Sequence, residues 1–394
     1  MKNQVSEAIR RMDISAFDTM MAGMSAPNVV NLGGGSLHGS LLPMKEIRSV
    51  LEEEAQPALF QYGAARGSEE MMEAQQKYLQ EFRNLSSKQE ELLIVNGGTQ
   101  GIDLACQAIL DPGDTVLVEQ PTFLIIYSIL EKLKVNCVGV KMDREGIDPN
   151  DFEEKASRYH PKMLYCIPTF QNPSGITMSI KRRKDIYDIA RRNAMMIIED
   201  DPYYDLSFGD CRLPTIKSMD TEGLVILLGS YSKIIAPGLR VGFAVGAPDC
   251  IHAMLTLKQS CDMHTSYLNQ HICAQMIQSG DLRTHVDRLS AQLAARASIM
   301  DRAVRHHFPA GSSWTSARGG IFLWVQLPED VTMPPNQIIT VGERKIAYMP
   351  GDGFFQKGNS PKRCMRLNFA AVHEKDIEGA ILDLGTTFLR AVQR

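Results

Sequence analysis

Short apolar runs recur along the first two thirds of the chain, and each is followed by glycine or by polar residues. Runs of this length, bounded by turn residues, are typical of buried strands. Most segments between them mix polar and apolar residues as helices do. Alternating strands and helices predict an α/β fold with a mainly parallel, doubly wound sheet. The predicted strands lie at 92–95, 115–119, 136–140, 162–167, 195–198, 224–228 and 241–245.

The remaining segments predict helices and further strands. Residues 15–24 and 44–54 are compatible with helices, and the region from about 247 to 310 is rich in Met, Ala, Gln and Arg. A long helix over 282–306 is expected to connect a large domain to a smaller one. Residues 363–370 predict a strand in which arginine alternates with other side chains.

Composition and charge argue against several functional classes. The chain has 394 residues and a formal net charge of −4, whereas nucleic-acid and membrane-surface proteins need clustered positive charge. Its eight cysteines form no C-x-x-C pair and its nine histidines no H-E-x-x-H spacing, so no metal site is expected. The sequence shows no signal peptide and no apolar run near the roughly 20 residues that span a bilayer. We therefore expect a cytoplasmic protein with no nucleic-acid or membrane partner.

The segment 229–242 is the main candidate for chemistry, because it lies between two predicted buried strands. Low dielectric at Lys233 favours the neutral amine, the form that attacks carbonyl groups to give Schiff bases. Ser230, Ser232 and Arg240 offer two hydroxyls and a guanidinium, a set suited to a phosphate. A surface turn with a solvated lysine is the alternative, and the spacing alone does not decide between them.

Two other strand ends carry residues suited to a ligand. The glycine-rich turn at 96–101 opens a helix, and unpaired N–H groups at a helix N-terminus attract phosphate. The turn alone is weak evidence, because it lacks the G-x-G-x-x-G spacing of dinucleotide sites. Asp200 and Asp201 end a buried strand, where carboxylates are costly unless a cation meets them. A protonated pyridine nitrogen is such a partner.

The segment 230–242 reads S-x-S-K-x-x-x-P-G-x-R-x-G and resembles the cofactor-lysine segment of the fold-type I aminotransferases, which use pyridoxal 5′-phosphate (PLP). It looks most like the class I/II subgroup that contains 2-aminoadipate and kynurenine aminotransferases. Further motifs of the family occur in its order along nearly the whole chain. They are Y-G-x-x-x-G at 62–67, P-x-x-Q-N-P-S-G at 168–175, E-D-D-P-Y at 199–203 and R-L-N-F-A at 366–370.

This resemblance implies the PLP-transferase fold of type I. Its large domain holds a doubly wound, mainly parallel seven-stranded sheet, and its small α+β domain comes from both chain ends. We expect residues 1–45 to form an N-terminal arm that is part of the small domain. Residues 46–285 would form the large PLP-binding domain, and residues 286–394 the C-terminal small domain.

The resemblance also implies roles around the cofactor ring. Lys233 is expected to carry the cofactor as an internal aldimine. Asp200 is expected to face the pyridinium nitrogen, while Tyr203 and Asn172 bind the 3′-oxygen and Phe123 stacks on the ring. Lys233, Asp200 and Tyr203 form the expected catalytic set.

The register of the carboxylate motif leaves one choice open. Matching E-D-D-P-Y to the family selects Asp200 and Tyr203. Asp201 and Tyr204 are the competing pair, and the sequence separates the two pairs by register alone.

The expected phosphate ligands lie on the helix N-terminus and on the lysine segment. They are Gly98, Thr99, Gln100, Ser230, Ser232 and Arg240. Tyr62 is expected to reach the cofactor phosphate of a partner subunit, which would make the protein an obligate homodimer.

The family pattern places the substrate α-carboxylate on the guanidinium of Arg366, with Asn172 beside it. Gly35 belongs to a triple-glycine stretch that lies at the substrate mouth in the family. The chain departs from the family pattern there, since Leu37 stands in place of a proline and Leu42-Pro43 in place of Phe-Pro.

Together these residues predict an aminotransferase that moves the amino group of an L-amino acid to a 2-oxo acid, with 2-oxoglutarate as the expected acceptor. The motifs hold the cofactor without specifying the reaction, so a lyase, decarboxylase or oxidase on the same fold is the alternative. A PLP-binding transcription regulator that lacks its DNA-binding domain is a second alternative.

Substrate choice depends on the first helix. Relatives that act on 2-aminoadipate place an arginine there to meet the distal carboxylate, and Asp18 falls near that place here. We therefore expect neutral, aromatic or basic amino donors, unless Arg10 or Arg11 reaches the substrate side chain.

Overall fold

The computed structural model describes residues 6, 9, 28–53, 56–209, 213–334 and 337–391. The expected helix at 15–24, with Asp18, and the residues Arg10 and Arg11 lie outside this part. The described helices, α1 to α10 in chain order, are Met44–Glu53, Glu69–Arg83, Gly98–Ile109, Ile125–Lys132, Pro149–Tyr159, Ile180–Arg192, Pro248–Cys261, Tyr267–Gln278, Asp281–His307 and Glu374–Arg390.

Fifteen strands accompany these helices in the described part of the chain. They are β1 to β15 in chain order: Val29–Asn31, Leu92–Val95, Thr115–Gln120, Asn136–Asp143, Gly146–Ile147, Met163–Cys166, Met196–Asp200, Val225–Ser230, Gly242–Val245, Ser313–Trp314, Phe322–Gln326, Ile338–Val341, Arg344–Ala347, Met349–Pro350 and Cys364–Asn368.

Capping residues explain where several helices begin and end. The Ser68 hydroxyl accepts a hydrogen bond from the N–H of Met71 and starts α2, which ends at Asn84 in a left-handed conformation with φ 48°. Ser179 caps α6 in the same way. The long helix α9 follows Gly280, whose φ of 85° suits glycine. Its bounds of 281–307 match the helix predicted from the sequence.

The eight strands of the main sheet are ordered β2-β9-β8-β7-β6-β3-β4-β5. From β8 to β4 all neighbours are parallel, while β9 runs antiparallel between β8 and β2. The seven longer strands are those predicted from the apolar runs, so the mainly parallel α/β sheet is confirmed. The eighth is the two-residue strand β5, which folds back on β4 as a hairpin.

Successive residues of the central strands face two separate cores, because side chains alternate along a strand. On β3, Val116 and Val118 pack in the core that α3, α8 and α9 cover, whereas Leu117 packs in the core that α5 and α6 cover. Helices therefore cover both faces of the sheet, as the doubly wound prediction requires.

Two smaller sheets come from both ends of the described chain. In one, β1 pairs in parallel with β13, and β12 completes it. In the other, β10, β11, β15 and β14 are antiparallel neighbours. These sheets supply the α+β part expected beside the large sheet.

Most residues that the sequence predicts for the site lie at one edge of the main sheet. Strands β2, β3, β6, β7 and β8 share one direction, so their carboxyl ends lie at the same edge. Ligands of open α/β sheets bind at this edge. No described helix is long and apolar enough to cross a membrane.

Candidate active site

A cavity of about 540 Å³ lies at this carboxyl edge, between the main sheet and residues of the smaller sheets. Most of the predicted site residues lie on its wall. They are Gly35, Gly98, Thr99, Phe123, Asn172, Asp200, Tyr203, Ser230, Ser232, Lys233, Arg240 and Arg366.

Lys233 lies in a short helical turn, Tyr231–Lys233, that follows β8. Its Nζ donates a hydrogen bond to the carbonyl oxygen of Gly35 at 2.6 Å. Burial, helped by the positive charges of Arg366 and Arg240, lowers the pKa of Lys233 to about 8. A substantial fraction of this amine is therefore neutral near physiological pH, as nucleophilic attack on a carbonyl requires.

Asp200 is the last residue of β7, and its side chain is buried. Its Oδ2 accepts a hydrogen bond from the phenol of Tyr165 at 2.6 Å. Burial raises the pKa of Asp200 to about 7, against the lowering effect of that hydrogen bond and of Lys233. A buried carboxylate of this kind is stabilised by a cation that binds beside it.

The structure separates the two pairs between which the sequence left a choice. Asp201 accepts a hydrogen bond from Nη1 of Arg83 at 3.2 Å, in a fully buried ion pair away from the cavity wall. The same guanidinium lies over the ring of Tyr204, with its carbon 4.4 Å from the ring centroid. Asp200 and Tyr203 are the pair that faces the cavity.

The turn from β2 into α3 forms one end of the cavity. The first N–H groups of a helix lack intrahelical partners, and here they belong to Gly98, Thr99 and Gln100. Gly97 precedes them with φ 76°, and a Cβ there would lie 2.5 Å from Nη2 of Arg240, so only glycine fits.

Three side chains of the lysine segment complete this end of the cavity. Nη1 of Arg240 donates to the hydroxyl of Ser232 at 3.3 Å, and the N–H of Ser232 donates to the hydroxyl of Ser230 at 3.2 Å. A guanidinium, two hydroxyls and a helix N-terminus together make a seat for a phosphate dianion.

Arg366 projects from β15 and lines another part of the cavity wall. Its Nη1 donates to Oδ1 of Asn172 at 2.8 Å and its Nη2 to the carbonyl oxygen of Gly33 at 2.7 Å. The guanidinium carbon lies 4.1 Å from the ring centroid of Phe322. Nε is buried and has no hydrogen-bond partner among the described residues, and burial lowers the Arg366 pKa to about 10. An anionic ligand would satisfy this guanidinium.

Two predicted site residues lie away from the cavity wall. The side chain of Gln100 points back to the backbone, where its Oε1 accepts a hydrogen bond from the N–H of Asn96 at 2.7 Å. Only its N–H remains at the helix terminus. Tyr62 is 82% exposed, and its ring contacts His264 edge-on at 6.0 Å between centroids. Among the residues that the structure describes, no contact ties Tyr62 to the cavity.

The structure adds residues that the sequence interpretation missed. Tyr165 and Phe322 occupy apolar runs, and in a sequence they resemble ordinary core residues. Ile102, Leu124 and Ile125 line the cavity from helix positions whose orientation depends on the tertiary fold. No local signal distinguished these side chains from the rest of the core.

The donor set of the cavity fits pyridoxal phosphate. The buried carboxylate of Asp200 matches a pyridinium nitrogen, and the amine of Lys233 matches an aldehyde. The phosphate seat formed by the start of α3, Ser230, Ser232 and Arg240 matches the cofactor's phosphate. Among the described residues, no group of three or more His, Cys, Asp and Glu is placed to hold a metal ion.

Comparison with known proteins gives one consistent result. The family model described as aminotransferase class I and II matches residues 27–384. Aromatic-amino-acid aminotransferase 1 of Thermococcus litoralis is 32% identical to this chain, and the match covers 99% of this chain and 95% of the relative's length. The 2-aminoadipate transaminase of Thermus thermophilus is 29% identical to it, and the match covers 95% of this chain and 94% of the relative's length.

A solved structure agrees with these relatives. Kynurenine aminotransferase of Pyrococcus horikoshii, crystallised with PMP, KYN and KYA, superimposes with a TM-score of 0.91 at 30% sequence identity. The match covers 100% of this chain and 98% of that chain.

Proposed function

The chain belongs to the class I and II aminotransferase family, and on that premise we propose that Lys233, Asp200 and Tyr203 are its catalytic residues. The protein is a PLP-dependent aminotransferase of fold type I, and its substrates are an amino acid and a 2-oxo acid. The observation that carries the residue assignment is the convergence of Lys233, Asp200 and Arg366 on one cavity.

When bound, PLP supplies an electron-withdrawing ring that stabilises the charge left on Cα as its C–H bond breaks. In our proposal, the carboxylate of Asp200 pairs with the protonated ring nitrogen and Phe123 packs on the ring. The N–H groups of Gly98, Thr99 and Gln100, with Ser230, Ser232 and Arg240, hold the phosphate.

Lys233 is proposed as the proton carrier. Because burial lowers its pKa to about 8, its Nζ could accept a proton from the substrate Cα and deliver it to the former aldehyde carbon of the cofactor, two bonds away, at moderate cost. The hydrogen bond to the Gly35 carbonyl oxygen keeps this amine at the mouth of the cavity.

Arg366 is proposed to bind the substrate α-carboxylate. Its guanidinium is already held by Asn172 and Gly33 and lies on the Phe322 ring, so a carboxylate meets a fixed fork. Fixing the carboxylate at one end and the cofactor at the other selects which bond of Cα breaks. The phenol oxygen of Tyr203 accepts a hydrogen bond from Nδ2 of Asn172 at 3.5 Å, so Tyr203 lies beside the residue that holds Arg366.

We propose that the amino donor has a neutral, aromatic or basic side chain and that 2-oxoglutarate is the acceptor. The rest of the described cavity wall is mainly apolar and includes Ile102, Phe123, Leu124, Ile125 and Phe322, with Ser36 as an uncharged polar residue. The four charged residues on that wall, Asp200, Lys233, Arg240 and Arg366, are assigned above to the cofactor or to the α-carboxylate. A distal carboxylate on the donor would meet no further cation of this wall.

We also propose that the protein is a homodimer in which Tyr62 reaches the partner's cofactor phosphate. Phe60, Tyr62 and Met263 are large apolar side chains with 66%, 82% and 56% exposure. Tyr62 and Met263 belong to one surface, since Tyr62 packs edge-on against His264, the residue after Met263. Exposed apolar patches of this kind commonly mark protein interfaces.

We also propose that the protein is cytoplasmic. The net charge of −4 and the described helices, none of which could cross a membrane, support this location. We further propose the domain division 1–45, 46–285 and 286–394. It is supported by β1 pairing with β13, which joins the N-terminal arm to the C-terminal small domain.

A panel of amino donors with 2-oxoglutarate tests the function and the donor class. We expect formation of the 2-oxo acid of a neutral, aromatic or basic donor together with an equal amount of glutamate. A strong preference for 2-aminoadipate or another acidic donor would contradict the proposed donor class. Release of ammonia or CO₂ in place of glutamate would contradict amino transfer.

A further inference from the structure

A polar cluster outside the cavity holds the turn that precedes α3. It consists of Asn96 and Gln100, which bracket the turn, and of Lys258 and Asp262, which come from the end of α7. Asn96 and Gln100 are separated from Asp262 by 166 and 162 positions in the chain. None of the proposed steps of amino transfer uses Lys258 or Asp262.

Asp262 is the centre of this cluster. Its Oδ2 accepts hydrogen bonds from Nδ2 of Asn96 and, at 2.5 Å, from Nε2 of Gln100. Nζ of Lys258 donates to both carboxylate oxygens at 2.8 Å. One carboxylate therefore joins the residue before the turn 97–99 to the residue after it.

Further hydrogen bonds hold the turn, some within the cluster and one from Arg240. Oε1 of Gln100 accepts from the N–H of Asn96 at 2.7 Å and from Nζ of Lys258 at 3.2 Å. The carbonyl oxygen of Asn96 accepts from Nη2 of Arg240 at 3.1 Å. The turn is thus held by Asp262 on its outer side and by Arg240 on its cavity side.

Charge balance makes Asp262 compatible with a neighbouring phosphate. A lone carboxylate near the turn would repel a dianion, but Lys258 is fully buried and pairs with Asp262. The pair acts on the turn through hydrogen bonds, with its net charge cancelled.

We propose that Asp262 is a positioning residue that pre-organises the phosphate-binding turn 96–100. This inference rests on the proposed function, in which that turn holds the cofactor phosphate. A turn that is already fixed loses less conformational entropy when it binds an anion, so Asp262 raises the affinity for the phosphorylated cofactor. Because it acts only on the phosphate end, it leaves the interaction of Lys233 with the aldehyde unchanged.

The experiment compares PLP with pyridoxal, which lacks the phosphate, as ligands of the apoenzyme. The variant is Asp262→Asn and the matched control is Asp103→Asn. Asp103 also accepts from a glutamine amide and a lysine ammonium, those of Gln107 and Lys132, but both of these partners lie outside the turn 96–100. Dissociation constants are measured by fluorescence titration, and circular dichroism checks the fold.

In Asp262→Asn we expect the PLP dissociation constant to rise about tenfold, the effect of losing hydrogen bonds to a charged group. The pyridoxal constant should stay within about twofold of wild type, as should both constants in Asp103→Asn. An unchanged PLP constant, or an equal loss for PLP and pyridoxal, would overturn the inference.

If Asp262→Asn does not fold, Gln100→Met gives a second test. It removes the side-chain bonds of Gln100 and leaves the Lys258–Asp262 pair intact. It should produce the same phosphate-specific loss, and a wild-type PLP constant in this variant would refute the role of the cluster. A wild-type apoenzyme that binds neither PLP nor pyridoxal would instead contradict the proposed function itself.

Discussion

The phenol of Tyr165 donates a 2.6 Å hydrogen bond to Oδ2 of Asp200. The parallel register of β6 and β7 brings them together, because Tyr165 lies opposite Ile198 and Asp200 follows two residues later on the same face. An ideal Cβ on Gly98 would lie 3.9 Å from Oδ1 of Asp200, which places this second oxygen near the start of α3, at the cavity wall. One carboxylate oxygen is thus anchored and the other lies at the cavity wall, where we propose that it would meet the ring nitrogen.

Tyr165→Phe should weaken this arrangement without removing any cavity-lining residue. The hydrogen bond lowers the Asp200 pKa, so its loss should raise that pKa further. A smaller fraction of Asp200 would then be ionised and able to pair with the ring nitrogen. We expect kcat to fall about tenfold and the PLP dissociation constant to rise by a similar factor.

Tyr187→Phe is the matched control for this test. Tyr187 donates to Asp220 at 3.3 Å from a helix on the other face of the sheet. Its loss should leave kcat and cofactor affinity near wild type. Equal effects in both variants would mean that Tyr165 acts only through the stability of the fold.

The pKa of Lys233 predicts how cofactor attachment depends on pH. Only the neutral amine attacks the aldehyde, and the neutral fraction rises as pH passes through about 8. The rate at which apoenzyme binds PLP covalently should therefore increase between about pH 6.5 and pH 8 and level off above about pH 9. Stopped-flow absorbance measures this rate. A pH–rate profile whose midpoint lies near the ordinary pKa of lysine would contradict the effect of burial on Lys233.

Arg366→Lys should impair substrate binding more than cofactor binding. Lysine keeps the charge but loses the planar fork that Asn172 and Gly33 hold. We expect kcat/KM for the amino donor to fall on the order of 100-fold, with the PLP dissociation constant within about threefold of wild type. Arg344→Lys, which alters the exposed pair with Asp383, is the control. A selective loss of PLP affinity in Arg366→Lys would place this arginine elsewhere in the site.

Glu119 predicts an unusual dependence of stability on pH. It is fully buried, and burial raises its pKa from 4.5 to about 8. Between these pH values the unfolded carboxyl is ionised while the folded one keeps its proton, so the free energy of unfolding falls as pH rises through this window. Its Oε1 also has no hydrogen-bond partner in the described structure.

Glu119→Gln should remove this penalty. The variant should lie within about 1 kcal/mol of wild type near pH 5 and exceed it by about 3–4 kcal/mol near pH 8. Urea unfolding of the apoenzyme at both pH values measures the difference, and Glu154→Gln on the exposed side of α5 is the control. A Glu119→Gln variant less stable than wild type near pH 8 would show that the anion is the native form.

The sequence predicts those parts of the structure that a short stretch of residues determines. The apolar runs gave the seven longer strands, and the resemblance placed Lys233, Asn172 and Arg366 on what proved to be one cavity wall. The register choice between Asp200 and Asp201 needed tertiary structure, because both carboxylates end the same strand. What separates them is Arg83, a residue 118 positions away that takes Asp201 as its partner.

Other features depend on contacts that no local pattern records. Tyr165 looks like any aromatic residue of a buried strand until β6 and β7 pair. Gln100 is expected among the phosphate ligands, and the side chain turns instead to Asp262, the residue that follows α7, which leaves the N–H of Gln100 for that role in our proposal. The hairpin strand β5 is two residues long, too short to give a periodic signal.

The central claim is that Lys233 forms the covalent bond to the cofactor. Purified enzyme treated with PLP and then with borohydride, digested and analysed by mass spectrometry tests it most directly. We predict that the reduced phosphopyridoxyl group is found on the peptide that contains Lys233 and is absent after Lys233→Ala. The group found on another lysine, or on no peptide of an enzyme that still catalyses amino transfer, would contradict the account.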